Sequence, residues 1–310
     1  MRVVLAPMEG VLDHLMRELL TQVGNYDLCV TEFVRVVDQV ISDRAFYRYC
    51  PELLEADAYG CKTKSGTPVR VQLLGQHPEY MAENAAKVVE LGSHGVDLNF
   101  GCPAKAVNKN RGGAILLKDP ENLYQIIKAV KEAVPNDTIV SAKIRLGYED
   151  KTLAIENAQA VEAAGANLLT VHARTKVEGY RPPAHWHWIA KINNAISIPV
   201  IANGDIWNLE DAIKCREVSG CKDIMVGRGA LTIPNLGKVI KQESEVMSWH
   251  EVQALLLTYT EFETRGDKSK YFPNRIKQWL KYLKNHYHEA DELFGIIRRL
   301  KTAEDIRDVL

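Results

Sequence analysis

The sequence lacks the patterns that mark membrane, secreted and metal-binding proteins. No apolar run is long enough to span a bilayer, and the start shows no charged n-region followed by an apolar h-region and a cleavage site. The six cysteines show no CxxC spacing and no His/Cys metal pattern. We therefore expect a cytoplasmic protein that has reduced thiols, binds no metal and contacts no membrane.

A strong net charge is also missing. The 310 residues carry a formal net charge of -1, and 46% of them are hydrophobic and 25% charged. This is ordinary globular composition, with ample length for a large core and one or two domains. Any basic surface for a nucleic acid therefore has to be local.

Strand-like and helix-like segments alternate for about 240 residues, which predicts an α/β fold of the (β/α)8 TIM barrel type. A doubly wound open sheet, the alternative, usually has a GxGxxG turn after its first strand, and Pro7-Met8-Glu9-Gly10 does not match it. Pro and Gly predict an irregular excursion over residues 42–67. The predicted strands are Val3–Ala6, Leu28–Thr31, Val69–Leu74, the stretch opening at Val96, Thr138–Ile144, Leu168–Val171, Pro199–Ala202 and Asp223–Val226.

The alternation stops near Ser244, and helical patterns follow. They predict helices over residues 251–264, 274–287, 290–299 and 302–309. We therefore expect residues 1–242 to form the barrel and residues 243–310 to form a small C-terminal helical-bundle domain.

Cys102 is the first candidate for chemistry. The stretch Val96-Asp97-Leu98-Asn99-Phe100-Gly101-Cys102-Pro103 predicts a parallel strand that ends in a loop, and in a barrel the carboxyl ends of the strands carry the active site. A polar loop flanked by Gly and Pro is not typical of a core. The other five cysteines are expected in the core.

Polar side chains end the predicted strands, and in a barrel they converge on one mouth. They are Glu32, Gln72, Asn99, Lys143, Arg145, His172, Asn203 and Arg228. The loops after the last two strands, Asn203-Gly204-Asp205 and Gly227-Arg228-Gly229, combine close backbone approach with a guanidinium fork. They predict a phosphate-bearing ligand, although the pattern does not name it.

Lys143 has two functional interpretations. It can form a Schiff base with a carbonyl substrate, or it can stay charged and hold an anionic ring. Arg145 shares its face of the strand and can depress the Lys143 pKa, which suits the first interpretation, but a pair of cations suits an anion equally well. The pair does not decide between them.

The segment from 265 to 284 is locally basic, with seven cations against the single acid Asp267, a charge of +6. The cations are Arg265, Lys268, Lys270, Arg275, Lys277, Lys281 and Lys284. A helix from Asn274 has three stripes: a core stripe of Ile276, Leu280 and Leu283, a lysine stripe of Lys277, Lys281 and Lys284, and a third stripe of Arg275, Trp279 and Tyr282. A lysine stripe is often only a solvated face, whereas the aromatic-plus-Arg stripe suits phosphate contact and base stacking.

These residues resemble the tRNA-dihydrouridine synthase family over nearly the whole chain. The matching motifs are Ala6-Pro7-Met8, Gln72, Leu98-Asn99-Phe100-Gly101-Cys102-Pro103, Lys143-Ile144-Arg145, His172-Ala173-Arg174-Thr175, Asn203-Gly204-Asp205 and Gly227-Arg228-Gly229. The stretches Glu32–Val36 and Arg275–Leu280 are similar to a bacterial subfamily, C, that acts on uridine 16 of the tRNA D-loop.

The resemblance implies an enzyme that uses FMN and NADPH (or NADH) to reduce the C5–C6 double bond of a uridine in tRNA. It implies that Cys102 is the general acid and that Asn99 and Arg145 face the uracil. The cofactor residues it implies are Ala6, Pro7, Met8, Gln72, Lys143, His172, Asn203, Gly204, Asp205, Gly227 and Arg228. The tRNA-positioning residues it implies are Arg35, Tyr180, Arg275, Lys277, Tyr282 and Arg298.

One departure concerns position 205, where related sequences often carry Glu, so we expect its backbone contact to matter more than its shorter side chain.

Three other functions remain open. They are reduction of a free pyrimidine by a barrel related to dihydroorotate dehydrogenase, a Schiff-base lyase, and a tRNA-binding module without catalysis. We expect a monomer.

Overall fold

A closed barrel of eight parallel strands is the centre of the computed structural model, which describes residues 1–264 and 269–310. The strands follow one another around the barrel in chain order, and the last pairs with the first, Val4 opposite Met225. They are β1 Val3–Leu5, β2 Leu28–Arg35, β3 Val69–Leu74, β4 Val96–Phe100, β5 Val140–Arg145, β6 Leu168–His172, β7 Val200–Asn203 and β8 Asp223–Val226. The predicted (β/α)8 barrel is confirmed.

Helices follow the strands and cover the outside of the barrel. They are α1 His14–Gly24, α2 Asp43–Tyr49, α3 Ala56–Tyr59, α4 Pro78–Glu90, α5 Lys105–Lys109, α6 Pro120–Ala133, α7 Ala154–Ala163, α8 Trp186–Ala195, α9 Leu209–Ser219, α10 Arg228–Thr232 and α11 Leu236–Ile240. Side-chain caps start three of them: Asp13, Asp119 and Asn208 each accept a hydrogen bond from a backbone N–H three residues on.

One local prediction was wrong, and one helix was not predicted. Residues 42–67 are largely helical, because Pro51 begins a 3₁₀ helix, Pro51–Glu55, between α2 and α3 instead of breaking the chain. The burial of Phe46 and Leu53 anchors this excursion to the barrel. Helix α8, which the sequence analysis did not assign, buries only Ile189 and Ile192, so its apolar stripe is short.

The interior of the barrel has an apolar half and a polar half. Alternate residues of β1, β2, β6, β7 and β8 fill one half, and they are Val4, Ala6, Leu28, Val30, Leu168, Ile201 and Met225. The half formed by β3, β4 and β5 holds Arg70, Gln72, Asp97 and Ser141 instead, all buried. Because buried polar groups need partners, this half is built as a hydrogen-bonded chain that leads to the mouth.

Four further helices follow the barrel in the chain, as predicted from the end of the alternation, and they pack against it. They are α12 Trp249–Thr264, α13 Phe272–Leu283, α14 His288–Ile297 and α15 Ala303–Arg307. Their apolar residues, such as Leu256 and Ile276, belong to the same hydrophobic cluster as Leu19 of α1. The boundary at residues 242 and 243 stays a prediction.

Trp279 corrects the expected aromatic stripe on α13. It is 1% exposed, and its Nε1 donates a hydrogen bond to the carbonyl of Leu231 at 3.1 Å. The stripe that contains it therefore faces the barrel, and Trp279 stabilises the contact instead of stacking on a base. Within the described ranges, no helix combines the length and the apolar character that crossing a membrane requires.

Candidate active site

A cavity of about 630 Å³ opens at the carboxyl ends of the strands. Its walls bring together most of the residues that the sequence singled out. They are Ala6, Pro7, Met8, Gln72, Asn99, Cys102, Lys143, Arg145, His172, Tyr180, Asn203, Gly204, Asp205, Gly227, Arg228 and Tyr282. Tyr282 comes from α13, so the C-terminal helices contribute to the wall of the cavity.

Cys102 follows β4 in a turn that Asn99 holds. The Asn99 Oδ1 accepts hydrogen bonds from the backbone N–H groups of Gly101 and Cys102, both at 2.9 Å. The thiol lines the cavity but is only 7% exposed, and burial raises its pKa above the ordinary value. Cys102 is therefore a protonated thiol at neutral pH, as a proton donor has to be.

Gly113 closes the other side of this turn. Its φ of +67° lies in the left-handed region, and a Cβ added there would lie 2.9 Å from the Cys102 carbonyl oxygen. That carbonyl also accepts hydrogen bonds from Asn108 Nδ2 at 2.9 Å and from the N–H of Ala114 at 3.1 Å. Only glycine fits the position, because both the backbone conformation and the space exclude a side chain.

A buried chain of hydrogen bonds supports the floor of the cavity. Asp97, 2% exposed, accepts from Gln72 Nε2 at 2.7 Å and from Ser141 Oγ at 2.5 Å. The Gln72 Oε1 in turn accepts from Asn99 Nδ2 at 2.7 Å, and Asn99 holds the Cys102 turn. A carboxylate can only accept, so Asp97 orients the Gln72 amide and links it to Cys102.

Lys143 is one of the cations that line the cavity. Its Nζ makes one long hydrogen bond, 3.3 Å to the Asn203 Oδ1, and Asn203 Nδ2 donates to the Met225 carbonyl at 2.8 Å. Burial first, and then the neighbouring Arg145, lower the Lys143 pKa to about 8. The ammonium is therefore charged at neutral pH and has N–H groups left for a ligand.

Arg145 and His172 complete the inner wall. Arg145 donates from Nε to the Gly101 carbonyl at 2.8 Å and from Nη1 to the Gly179 carbonyl at 2.9 Å. Burial first, then Arg145 and Lys143, hold the His172 pKa well below its ordinary value, so the imidazole is neutral. Its Nδ1 is buried without a protein partner among the described residues.

The loops after β7 and β8 form a cationic end of the cavity. The Asp205 carboxylate accepts hydrogen bonds from Arg174 and, at 3.1 Å, from Arg228. Both oxygens of the Asp205 carboxylate therefore have an arginine partner, so the shorter side chain at this position makes contacts of its own in addition to those of the backbone. Gly204 has a φ of +122° and approaches Ala173 closely, and Trp186 Nε1 donates to its carbonyl at 2.8 Å.

Four of the predicted tRNA-positioning residues lie outside the cavity. Arg35 lines a separate cleft of about 310 Å³ with Lys109 and Arg111, and Arg298 is exposed on the C-terminal helices. The Lys277 Nζ donates to the Leu300 carbonyl at 2.5 Å. Three members of the basic segment, Arg265, Asp267 and Lys268, lie outside the described residues.

Arg275 is engaged inside the molecule. Its guanidinium pairs with Asp13 at 2.8 Å and with Glu263 at 3.4 Å, and its Nη1 donates to the Gly10 carbonyl at 3.0 Å. The side chain is 15% exposed. It therefore links α13 to the loop after β1, which also carries Pro7 and Met8.

Comparison with known proteins identifies the family of the barrel and its site. A family model described as dihydrouridine synthase (Dus) matches residues 4–305. The chain belongs to the dihydrouridine synthase family. The chain is 56% identical to the tRNA-dihydrouridine(16) synthase of Shewanella oneidensis over 310 residues, covering 100% of this chain and 97% of the relative. It is 57% identical to the Vibrio cholerae protein of the same name, covering 100% of this chain and 95% of the relative.

The fold is also similar to that of more distant proteins. A 2-naphthoyl-CoA reductase in complex with 2-naphthoyl-CoA superposes with a TM-score of 0.60 at 13% identity, over 78% of this chain and 50% of that one. At this identity the similarity concerns the barrel fold alone. The membership in the dihydrouridine synthase family rests on the close relatives.

Several residues of the site were missed by the sequence analysis. Trp207 and Phe33 line the cavity, and Asp97 and Ser141 support its floor. Trp207 stands two residues after the Asn203-Gly204-Asp205 motif, and this closeness in sequence to a predicted cavity loop could have indicated it as a site residue. Asp97 lies inside an apolar strand, and the sequence contains no signal that would tell whether a carboxylate at this position is buried or exposed. Among the described residues, no group of three or more His, Cys, Asp or Glu side chains is arranged to hold a metal ion.

Proposed function

We propose that this member of the dihydrouridine synthase family uses FMN and NADPH to reduce the C5–C6 double bond of uridine 16 in the tRNA D-loop. The observation that carries the proposal is that a protonated thiol, an ammonium and a paired guanidinium, from Cys102, Lys143 and Arg228, line one cavity. The position in tRNA is supported by the name of the close relatives, tRNA-dihydrouridine(16) synthase.

The residues of the cavity fit FMN. The buried His172 Nδ1 has no partner among the described residues, and Lys143 makes a single long hydrogen bond, so both retain capacity for a ring with polar edges. The amide nitrogens of Gln72 and Asn99 each donate one hydrogen bond inside the chain, to Asp97 and to Gln72, so each has a second N–H to offer a ligand. The glycines and Arg228 of the last two loops suit a terminal phosphate. When bound, FMN supplies C6 of the uracil with a hydride that comes from NADPH.

Cys102 completes the reaction by protonating C5 of the uracil. Hydride addition at C6 gives C5 negative character, and a proton has to arrive at that carbon. Burial keeps the Cys102 thiol protonated, and Asn99 fixes its position through the turn. Asn99 and Arg145 orient the uracil, and the Lys143 ammonium stabilises negative charge beside it.

The tRNA has to present the uridine outside its stack, since the cavity lies at the mouth of the barrel. Tyr180, which is 53% exposed, and Tyr282 stand at the entrance for contact with the nucleotide. Arg35, Lys277 and Arg298 contact the phosphate backbone, and Arg275, which pairs with Asp13 and Glu263, acts on tRNA binding through the position of α13. We propose that the C-terminal helices, which carry Lys277 and Arg298, form the RNA-binding unit of residues 243–310.

The family match favours this function over the three alternatives that the sequence left open. The lowered Lys143 pKa suits a Schiff base as well as an anion site, but the dihydrouridine synthase relatives favour the anion site. We also propose that the enzyme acts in the cytoplasm, where tRNA is modified. It acts as a monomer, and light scattering of the purified protein tests this oligomeric state.

A dihydrouridine map of tRNA from cells that lack the gene tests the proposed function. Loss of dihydrouridine at position 16 alone is the expected result. Loss at another position contradicts the proposed tRNA orientation but keeps the chemistry. Unchanged tRNA in a strain without a redundant enzyme contradicts the function. The matched control is complementation of the same strain. The wild-type gene is expected to restore dihydrouridine at position 16, and a Cys102→Ala version is not.

A further inference from the structure

The guanidinium of Arg228 lies over two aromatic rings at the cationic end of the cavity. Its central carbon is 4.8 Å from the centroid of the Tyr180 ring and 4.8 Å from that of the Trp207 ring. Both distances are within the range of cation–π attraction. The side chain of Arg228 is 27% exposed, so this attraction acts on a partly desolvated cation.

The backbone brings Trp207 to this place. Gly229, next to Arg228, packs against the carbonyl oxygen of Ile206, and a Cβ added to it would lie 2.2 Å from that oxygen. The loop after β8 therefore touches the loop after β7 directly beside Trp207. The N–H of Trp207 also donates to the Asp211 Oδ2 at 2.9 Å, which fixes its backbone at the start of α9.

Asp205 holds one edge of the same guanidinium. Arg228 donates from Nη2 to the Asp205 Oδ1 at 3.1 Å, while the other oxygen of that carboxylate binds Arg174. Both rings are within cation–π distance of the guanidinium, and Asp205 accepts a hydrogen bond from one of its N–H groups. The N–H groups that remain suit the oxygen atoms of a phosphate.

We infer that Trp207 is a positioning residue that, with Tyr180, holds Arg228 for recognition of the cofactor phosphate and so makes the site selective for FMN over riboflavin. This rests on the proposed function, because it takes FMN as the ligand. Trp207 acts through Arg228 and does not itself need to contact the phosphate. Its loss therefore weakens the binding of the phosphorylated flavin and leaves the binding of the ring unchanged.

The test measures dissociation constants of FMN and of riboflavin for the full-length protein by quenching of flavin fluorescence. The variants are Trp207→Leu, Trp207→Phe, Arg228→Ala and the double variant Trp207→Leu/Arg228→Ala. The matched control is Trp188→Leu, because Trp188 makes a cation–π contact with Lys191 at 4.0 Å but does not line the cavity. Riboflavin affinity reports whether each variant keeps the flavin site.

We expect Trp207→Leu to weaken FMN binding about tenfold, with riboflavin binding within about twofold of wild type. Trp207→Phe keeps an aromatic face and restores most of the preference. In the Arg228→Ala background, Trp207→Leu has little further effect, since the group that it holds is gone. Trp188→Leu changes neither constant.

Two results overturn the inference. One is an unchanged ratio of FMN to riboflavin affinity in Trp207→Leu, whether neither affinity falls or both fall equally, and the other is full additivity with Arg228→Ala. If Trp207→Leu fails to fold, Tyr180→Leu removes the other ring beside Arg228. An unchanged ratio of FMN to riboflavin affinity in that variant overturns the inference as well. A wild-type protein that binds no flavin, or does not prefer FMN, contradicts the proposed function instead.

Discussion

Replacing Lys143 with Met is expected to stabilise the fold and to impair the binding of FMN. Burial and Arg145 lower the Lys143 pKa from 10.5 to about 8, so the folded protein holds a charged ammonium at neutral pH against a free-energy penalty. At 1.36 kcal/mol per pKa unit, this shift corresponds to about 3 kcal/mol. Methionine has similar length and no charge, so Lys143→Met is expected to raise the free energy of unfolding by up to that amount at pH 7.

The pH dependence gives the sign of the effect. Because the Lys143 pKa is lower in the folded than in the unfolded state, the penalty is complete below pH 8 and declines as the pH rises from 8 toward 10.5. The stability gap between variant and wild type is therefore about 3 kcal/mol at pH 7 and about 2 kcal/mol at pH 9. The charged and titratable groups that face Lys143 are Asp97, Cys102, Arg145 and His172.

Urea unfolding without cofactor, at pH 7 and pH 9, measures the gap. The control is Lys128→Met on the exposed face of α6, for which we expect little change in the free energy of unfolding because the side chain is solvated. The affinity of the folded variant for FMN is expected to fall at least about tenfold, since a charged hydrogen bond is lost. A destabilised Lys143→Met at pH 7, or a gap that does not narrow at pH 9, refutes the account of Lys143 as a charged and desolvated group.

Three further predictions concern the turn and the RNA surface. Cys102→Ala keeps FMN and tRNA binding but lowers single-turnover reduction of uridine by about 10²-fold or more, because the proton donor is gone; unchanged turnover contradicts the role of the thiol. Gly113→Ala lowers the free energy of unfolding by about 1–3 kcal/mol in urea, since its left-handed φ and the Cys102 carbonyl exclude a Cβ; a neutral effect contradicts the strain argument. Lys277→Ala and Arg298→Ala each weaken tRNA binding and reduce the slope of log affinity against log salt by about 1, without changing FMN affinity; an unchanged slope locates the RNA surface elsewhere.

The sequence was sufficient for the barrel and for most of the cavity wall. Buried parallel strands have continuous apolar runs, and polar residues such as Gln72, Lys143 and His172 interrupt these runs where the strands approach the mouth. The topology of a closed barrel then brings those positions together, so strand order alone predicts their convergence.

Side chains that act from below or from the next loop were not predictable in the same way. Asp97 is one hydrogen bond and Ser141 two hydrogen bonds away from the cavity wall, and the chain of Gln72, Asp97 and Ser141 spans three strands. Trp207 meets Arg228 only because Gly229 lets two loops touch. Such contacts depend on distances across the barrel that a linear pattern does not contain.

Trp279 shows a second limit of pattern-based prediction. An amphipathic helix with a core stripe and an aromatic stripe has the same sequence whether the second stripe faces solvent or another part of the chain. In α13 that stripe faces the barrel, where Trp279 reaches the carbonyl of Leu231. Arg275 of the same stripe pairs with Asp13 of the barrel.

The most direct test of the account is the formation of dihydrouridine in an unmodified tRNA transcript by the purified protein with FMN and NADPH. The measurement is the dihydrouridine content at each position, for the wild type and for Cys102→Ala. The account predicts dihydrouridine at position 16 with the wild type and little or none with the variant. A wild-type preparation that binds FMN and oxidises NADPH but leaves every uridine of the transcript unreduced would contradict it.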